Sequence, residues 1–206
     1  MKSEREDFYL LGISHHTATL AVREPWALNR EEKGKLTSKL LCEKYGQVVL
    51  LGTCNRTEFY FFSKEAPHLS EIKKKVEEVK ARPIHTDPSN FYVKKGFEVI
   101  EHLFSVTSGL DSQILGETEI QGQVKEDFAF SRKLGACGDE LGRLFEHALK
   151  VGKRVRTETK LSEGVISAGQ AGVLLAKKVL GNLSRAKVLL VGSGKIGRLT
   201  AKALLK

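Results

Sequence analysis

Short apolar runs and longer amphipathic stretches alternate in the first half of the chain. Compact apolar or aromatic runs, which predict β-strands, occupy residues 8–14, 47–51, 57–62 and 90–93. Leu36, Leu40 and Leu41 recur at helical spacing, and residues 68–81 mix spaced apolar positions with lysines and glutamates, so both stretches predict amphipathic helices. The order β-α-β-β-α-β predicts an α+β fold of the ferredoxin-like, split βαβ class.

Helical patterns dominate the second half of the chain. Spaced apolar residues predict helices at residues 97–110, 119–135 and 139–159. A stretch of small residues, 162–172, marks the predicted boundary between a first domain at residues 1–160 and a second segment at residues 161–206. The second segment has a linker helix, an apolar strand at residues 188–191, a glycine turn and a further helix. This is the expected first β-turn-α unit of an incomplete Rossmann-type α/β domain.

The glycine turn carries the G-x-G-x-x-G pattern of dinucleotide-binding domains. Its position between an apolar strand and a helix favours a pyrophosphate site over a purely structural turn. The predicted cofactor-binding residues are Gly192, Ser193, Gly194, Lys195, Ile196 and Gly197. Only nine residues follow Gly197, whereas a complete domain needs further βα units and a ribose selector about twenty residues on. We therefore expect that the chain is a fragment or that another polypeptide supplies the rest, and that alone it binds a dinucleotide poorly.

The composition predicts a soluble globular protein. The chain has 206 residues, of which 41% are hydrophobic and 29% charged, enough for one large domain or two smaller ones. No apolar run approaches the roughly 20 residues that a membrane helix needs, and the start "MKSEREDFYL" lacks the apolar stretch of a signal peptide. We therefore expect a cytoplasmic protein without a membrane partner.

The net charge of +9 is unevenly distributed along the chain. Residues 143–206 carry fourteen Lys and Arg against three Asp and Glu, a balance of +11, whereas residues 1–142 carry twenty against twenty-two, a balance of −2. A concentrated positive stretch favours a polyanionic partner such as RNA. A solvated helix face accounts for it equally well, so the charge alone leaves both interpretations open.

The chain has three cysteines, Cys42, Cys54 and Cys137, which form no C-x-x-C pair, so we expect free thiols. Cys54 lies in the very short connection between the second and third predicted strands, and Arg56 follows two residues later. A nearby positive charge can lower the pKa of a thiol and make it a nucleophile, although a free cysteine is more often a small hydrophobe. Residue chemistry therefore leaves both roles open for Cys54 and favours packing for Cys42. The histidines form no metal-ligand spacing, so no metal site is predicted.

Four longer motifs follow one another along the chain. They are "GISHHTA" with "VRE" (residues 12–18 and 22–24), "TCNRTE" (53–58), "HLFSVTSGLDSQILGETEIQGQVK" (102–125) and "GKRVRTET" (152–159), and the glycine turn follows them. In this order and at this spacing they resemble the motifs of glutamyl-tRNA reductases. The resemblance covers nearly all of the chain, and motifs of this length rarely arise by chance.

The resemblance implies an NADPH-dependent oxidoreductase that converts glutamyl-tRNA to glutamate-1-semialdehyde, the first step of tetrapyrrole (porphyrin and heme) biosynthesis by the five-carbon route. It implies that Cys54 attacks the aminoacyl ester, releases tRNA and forms a glutamyl thioester, to which NADPH delivers hydride. A thiolate attacks an activated ester readily, which suits this chemistry to a cysteine. The resemblance also implies a homodimer formed through a C-terminal helical region, and a downstream aminomutase as a partner.

The resemblance also assigns roles to individual positions. His102 matches a histidine that is important for activity in the family, and it would steer protonation or support the thiolate. By itself the sequence favours a helix histidine packed beside Phe97 and Leu103. Arg56 would form a paired contact with a substrate carboxylate. The implied substrate-binding residues are Thr53, Asn55, Arg56, Ser112, Glu117, Thr118, Glu119 and Gln123, and His15 and His16 would support the site from the end of the first strand.

Two other interpretations stay open. The chain could be a non-catalytic fragment that binds tRNA or another partner, or a thiol hydrolase or transferase whose glycine turn is only structural. On the leading interpretation, we expect the chain to form the thioester and to hydrolyse glutamyl-tRNA slowly. We do not expect reduction, because the cofactor domain is incomplete.

Overall fold

A four-stranded antiparallel sheet organises the first part of the protein. The computed structural model describes residues 5–41, 45–161, 168–184, 186–192 and 194–205. The strands are β1 (Asp7–Ser14), β2 (Gln47–Gly52), β3 (Arg56–Ser63) and β4 (Tyr92–Lys95), in the spatial order β2-β3-β1-β4. Neighbouring strands pair antiparallel throughout, and Ser14 at the end of β1 faces Arg56 at the start of β3. The predicted strands are therefore present, and their register brings the end of β1, the end of β2 and the start of β3 together.

Helices cover both faces of this sheet. They are α1 (Leu20–Arg23), α2 (Arg30–Leu41), α3 (Leu69–Lys80), α4 (Phe97–Ser108), α5 (Glu119–Lys133) and α6 (Asp139–Glu158), with short 3-10 helices at Glu24–Trp26 and Pro88–Asn90. The helix α2 lies between β1 and β2, and α3 lies between β3 and β4, so the predicted order β-α-β-β-α-β is observed. Within the described residues, no helix is both long and apolar enough to cross a membrane.

Alternate residues of the central strands pack into two separate hydrophobic cores, one on each face of the sheet. On one face, Leu11 and Phe61 pack with buried residues of α2 and α3. On the other face, Leu10 and Tyr60 pack with buried residues of α4, α5 and α6. Because successive side chains of a strand point to opposite faces, a strand covered on both sides reads as a continuous apolar run. The buried segment Val48–Leu51 of β2 confirms the two-sided burial that its sequence predicts.

The predicted strand at residues 188–191 is not formed in the structure. These residues have no regular structure, and the side chains of Leu189 and Val191 are 88% and 89% exposed. A strand needs a neighbouring backbone to satisfy its N–H and C=O groups, and the described part of the chain offers none to this segment. The flanking helices α7 (Ala168–Leu180) and α8 (Lys195–Leu204) are present and contact each other.

The glycine turn before α8 requires glycine in this structure. Gly192 has φ +110°, and a Cβ at Gly197 would lie 2.3 Å from the carbonyl oxygen of Gly192. Gly194 is the N-cap of α8, where unpaired N–H groups can receive an anion. The predicted residue Ser193 and the side chain of Lys195 lie outside the described residues. The turn and helix of the predicted β-turn-α unit are thus observed, without its strand.

A glycine lets α6 cross α4 closely beneath the sheet. A Cβ at Gly152 would lie 2.5 Å from the carbonyl oxygen of Thr107, a distance too short for carbon and oxygen. The hydroxyl of Thr107 lies 3.0 Å from the carbonyl oxygen of Ala148, so the two helices also meet through polar atoms. Gly142, on the same helix, has no atom within 4 Å of its would-be Cβ.

We predict opposite effects for alanine at these two glycines. Gly152→Ala should lower the free energy of unfolding by about 1–3 kcal/mol, because the methyl group overpacks the crossing with α4. Gly142→Ala should raise it by up to about 1 kcal/mol, because alanine favours the helix and meets open space. Urea unfolding of the two variants beside the parent measures both changes, and equal changes in the two variants would contradict the close crossing.

Candidate active site

Cys54 lies in a tight turn that joins β2 to β3. The hydroxyl oxygen of Thr53 accepts hydrogen bonds from the backbone N–H groups of Asn55 (3.1 Å) and Arg56 (3.2 Å). The N–H of Thr53 donates to the carbonyl oxygen of Arg56 at 2.9 Å, which closes the turn. Cys54 is exposed at its tip, so the structure disagrees with a packing role for this thiol.

The turn is held on its outer side by groups that follow β1. The backbone N–H of His15 donates to the carbonyl oxygen of Asn55 at 2.9 Å. The guanidinium of Arg23 reaches the carbonyl oxygen of Cys54 and the side-chain oxygen of Asn55, both at 3.4 Å. The motif "GISHHTA" with "VRE" therefore lies against the motif "TCNRTE", and the backbone around the thiol is fixed from both sides.

A buried ion pair holds the end of β2 immediately before the turn. The Nζ of Lys33, on α2, lies 2.6 and 2.7 Å from the carboxylate oxygens of Asp127, on α5. Asp127 also accepts the backbone N–H of Gly52 at 2.9 Å, and Lys33 donates to the carbonyl oxygen of Gly52 at 3.3 Å. The side chains of Lys33 and Asp127 are only 10% and 14% exposed. Both backbone groups of Gly52, two residues before Cys54, are thereby bound to this pair.

A pocket opens beside Cys54. Its lining residues come from the turn, from the loop after α4 and from the first turns of α5, and they are Thr53, Cys54, Asn55, Arg56, Ser112, Glu117, Glu119, Ile120 and Gln123. Glu119 and Gln123 are four residues apart on α5 and share one helix face, which Asp127 continues one turn further. The fold thus gathers most of the predicted substrate-binding residues around the thiol. Thr118, the residue before α5, is exposed and does not line this pocket.

Arg56 is buried and already bound to two carboxyl-bearing residues. Its Nη1 lies 2.9 Å from Glu58 Oε1 and 2.9 Å from Asp111 Oδ2, and its Nη2 donates to the backbone carbonyl of Asp111. Burial alone would lower the pKa of Arg56, but the carboxylates of Glu58 and Asp111 outweigh it and raise the pKa well above its usual value. The guanidinium is therefore not a free cation, and its Nε–H is a buried donor without an acceptor among the described residues.

Glu58 is the centre of this buried network. Its carboxylate accepts from Arg56 and from the hydroxyls of Tyr60 (2.6 Å) and Tyr92 (2.5 Å), and it lies 2.8 Å from Nε2 of His102. Glu58 is fully buried. Burial would raise the pKa of this carboxyl, but the Arg56 charge and the hydrogen bond with His102 hold it well below its usual range. Burial, together with the same anion, raises the pKa of Tyr92 and Tyr60.

His102 belongs to this network rather than to an apolar contact. Its Nε2 faces Glu58, its Nδ1 lies 4.0 Å from Asp111, and its ring lies 5.5 Å from the ring of Tyr92. Phe97, the expected packing neighbour, is 76% exposed. His102 does not line the Cys54 pocket, and the described contacts connect it to the turn through Glu58 and Arg56. Its role in catalysis stays a prediction.

Asp111 and Glu58 are the residues that sequence reasoning missed. Asp111 binds Arg56 and also lies 2.7 Å from Nε2 of His16, whose ring is 3.9 Å from the ring of His15. Burial, followed by the neighbouring positive charges, lowers the pKa of His15. An acidic residue in the middle of the aromatic strand "RTEFYFFS" was the available signal for Glu58, because an acid on a doubly covered strand requires a buried partner. Asp111 lies in a loop and carries no such signal.

Cys137 is a poor candidate for a nucleophile. Cys137 is half-buried against the core under α4, α5 and α6, and burial raises its pKa to about 11, which disfavours a reactive thiolate. Cys42 lies outside the described residues. Within the described part of the chain, no group of three or more His, Cys, Asp or Glu could hold a metal ion.

Comparison with known proteins gives consistent matches. The family described as glutamyl-tRNAGlu reductase, N-terminal domain, matches residues 11–159. The glutamyl-tRNA reductase of Desulforudis audaxviator is 41% identical over 198 residues, covering 95% of this chain and 44% of that protein. That of Aquifex aeolicus is 39% identical over 199 residues, covering 96% and 48%. The solved structure of the Methanopyrus kandleri enzyme superposes with a TM-score of 0.68 at 34% identity, covering 97% and 47%. The chain spans about half the length of these relatives.

Replacing Glu58 tests whether its buried carboxylate holds the site together. Glu58→Gln should lower the free energy of unfolding at pH 7 by about 3 kcal/mol or more, because it removes the charge that compensates buried Arg56. The folded-state pKa of Glu58 is depressed, so its contribution is complete above the unfolded value of about 4.3 and is lost as the pH falls toward the folded value. The parent should therefore lose more stability than the variant between about pH 4.5 and pH 2. Glu78→Gln, which removes an exposed carboxylate paired with Lys39, is the control and should change little.

Replacing the Lys33–Asp127 pair distinguishes its contribution to the stability of the fold from its role in holding Gly52 at the end of β2. Asp127→Asn should destabilise the fold by about 3 kcal/mol, because buried Lys33 loses its counter-charge. The double variant Lys33→Met/Asp127→Leu should recover most of that stability. It should still leave the Gly52 N–H without its acceptor, so the Gly52 amide should exchange hydrogen faster than in the parent. Full protection of this amide in the double variant would show that the ion pair does not hold the end of β2.

Proposed function

Because the chain belongs to the glutamyl-tRNA reductase family, we propose that it accepts the glutamyl group of glutamyl-tRNA on Cys54 as a thioester. The observation that carries this proposal is an exposed thiol at the rim of a pocket lined by residues of the family's motifs, Thr53, Asn55, Arg56, Ser112, Glu117, Glu119 and Gln123. In this proposal the glutamyl group binds at the pocket and the RNA remains outside it.

The proposed acylation step balances without a further reactant. The thiol of Cys54 gives up its proton as its sulfur forms a bond to the ester carbonyl carbon, the bond from that carbon to the terminal ribose oxygen breaks, and that oxygen takes up the proton and leaves as the ribose hydroxyl. A thioester results, and it is more easily reduced or hydrolysed than the ester. The turn between β2 and β3 holds the sulfur in place, which lowers the entropic cost of reaching the attacking geometry.

The lining residues of the pocket include both an anionic and a cationic residue for the charged groups of the glutamyl substrate. Glu117 brings a carboxylate suited to the substrate's α-ammonium group. We assign Arg56 to a substrate carboxylate by its motif position; its Nε is buried, so this contact requires the guanidinium to become exposed. We assign Ser112, Thr118 and Gln123 to substrate binding by their motif positions. His102 acts in this proposal through Glu58, by fixing the orientation of Arg56, because the described contacts lead from its ring to that carboxylate.

We further propose that the second half of the reaction requires NADPH, which when bound supplies hydride to the thioester. Gly192, Gly194 and Gly197 are suited to a pyrophosphate, because the turn admits no side chain at Gly197 and the N-terminus of α8 follows it. Ser193, Lys195 and Ile196 complete that turn by position. Residues 1–160 would then form the ferredoxin-like catalytic domain, and residues 161–206 a linker and the start of a Rossmann-type cofactor domain.

In this proposal the chain acts in the cytoplasm on the first step of tetrapyrrole synthesis. The product, glutamate-1-semialdehyde, would pass to an aminomutase, and the enzyme would work as a homodimer. For a polypeptide of these 206 residues we propose acylation and slow hydrolysis without reduction, since it spans about half of its relatives. The alternative, a fragment that binds tRNA or a partner without chemistry, is an outcome of the test below.

The test is incubation with tRNA carrying labelled glutamate, in the presence of NADPH. The parent should gain covalent label on Cys54 and release glutamate slowly, without semialdehyde. Cys54→Ser should lose at least about a hundredfold of the release rate, because a hydroxyl lacks the nucleophilicity of a thiolate. Cys137→Ser is the matched control and should behave like the parent. Glutamate release by the Cys54 variant at the rate of the parent would exclude this thiol as the nucleophile. Formation of semialdehyde by the parent would show that this chain can carry out the reduction.

A further inference from the structure

The C-terminal half of α6 carries a row of exposed cations. Lys150, Lys153 and Arg154, here called the α6 basic stripe, lie at helical positions i, i+3 and i+4 and share one face. All three are exposed, whereas Ala148 and Gly152 on the opposite face are buried against the core. Across residues 147–160 the chain carries five Lys and Arg against one Glu, a balance of +4.

Neither the helix dipole nor an ion pair within the described residues accounts for Lys150 and Lys153. Cations stabilise a helix C-terminus only within its last turn, but Lys150 lies eight residues before the last residue of α6, Glu158. Glu158 pairs with Arg154 at 3.1 Å, and for Lys150 and Lys153 the described residues show no ion pair. The lysines of α3 provide a contrast: Lys73, Lys74 and Lys75 share their helix with three glutamates, and Lys73 lies 3.8 Å from Glu77.

The helix that carries the stripe packs against α5, the helix that contributes two residues to the Cys54 pocket. The side chain of Gln121, on α5, donates to the backbone carbonyl of Leu149, next to Lys150. Glu119 and Gln123, two residues to either side of Gln121, line the pocket. The helix α5 therefore connects the pocket, which two of its residues line, to α6, the helix that carries the stripe. A macromolecule whose end enters the pocket has its adjoining segment within reach of the stripe.

We propose that the α6 basic stripe binds the phosphate backbone of the RNA whose 3′ end delivers the glutamyl group to Cys54. This inference rests on the proposed function. Lysine and arginine contacts to phosphates position a nucleic acid without reading its sequence. The stripe thus supplies affinity and register for the acceptor end, and the pocket selects the amino acid.

The experiment compares two triple variants that remove the same charge. Lys150→Gln/Lys153→Gln/Arg154→Gln removes the stripe, and Lys73→Gln/Lys74→Gln/Lys75→Gln removes three cations from α3. Each is assayed for acylation of Cys54 by glutamyl-tRNA and by a glutamyl ester of a small alcohol, and for binding of uncharged tRNA between about 50 and 200 mM salt.

The stripe variant should show a KM for glutamyl-tRNA raised by about tenfold or more, and a salt slope of log affinity shallower by about two, because three phosphate contacts are lost. Its acylation by the small ester should match the parent, and the α3 variant should match the parent in every assay. A KM or salt slope equal to that of the α3 variant overturns the inference. An equal loss with the small ester also overturns it, because the stripe would then act on the pocket.

These outcomes separate the inference from the function it rests on. If glutamyl-tRNA acylates the parent and the stripe variant has the same KM and salt slope as the parent, the stripe does not bind the RNA and the proposed function stands. If tRNA binding depends on the stripe but glutamyl-tRNA does not acylate the parent, the stripe binds RNA and the proposed function is wrong.

Discussion

The buried carboxylate of Glu58 is the interaction on which the candidate site depends. It binds Arg56 and Tyr60 from its own strand, Tyr92 from β4 and His102 from α4, so one anion joins three elements. A charge without water is tolerated only when its partners compensate it, and here a cation and several donors surround it. The pocket wall that Arg56 forms therefore depends on a residue that lies beneath the pocket.

A second set of contacts holds the turn that carries the thiol. Thr53 closes the turn, Arg23 and His15 hold its outer side, and the Lys33–Asp127 pair holds the strand end before it. An exposed nucleophile on such a turn combines access for a substrate with a fixed direction of attack. The same α5 carries Asp127 in this set of contacts and Glu119 and Gln123 in the pocket, so one helix contributes both to the strand end and to the pocket lining.

Much of the fold follows from local patterns, and the exceptions have physical causes. The four strands and their intervening helices were predicted from period and composition, because each buries a face large enough to show in the sequence. Residues 188–191 have an equally clear strand pattern but form no strand, because strand formation depends on a neighbour that the local sequence does not supply. Asp111 was missed for a related reason: its partners, Arg56 and His16, are distant in the chain.

The sequence by itself determined the family resemblance, the choice of Cys54 as the candidate nucleophile and the residues expected around it, because these are carried by residue types in contiguous motifs. The tertiary structure decided which of these residues meet. It placed Glu117, Glu119 and Gln123 around the pocket beside the thiol, turned Arg56 and His102 toward Glu58, and packed the helix of the α6 basic stripe against α5. Contacts of this kind join segments tens of residues apart, and their geometry depends on sheet register and helix packing, which no local pattern encodes.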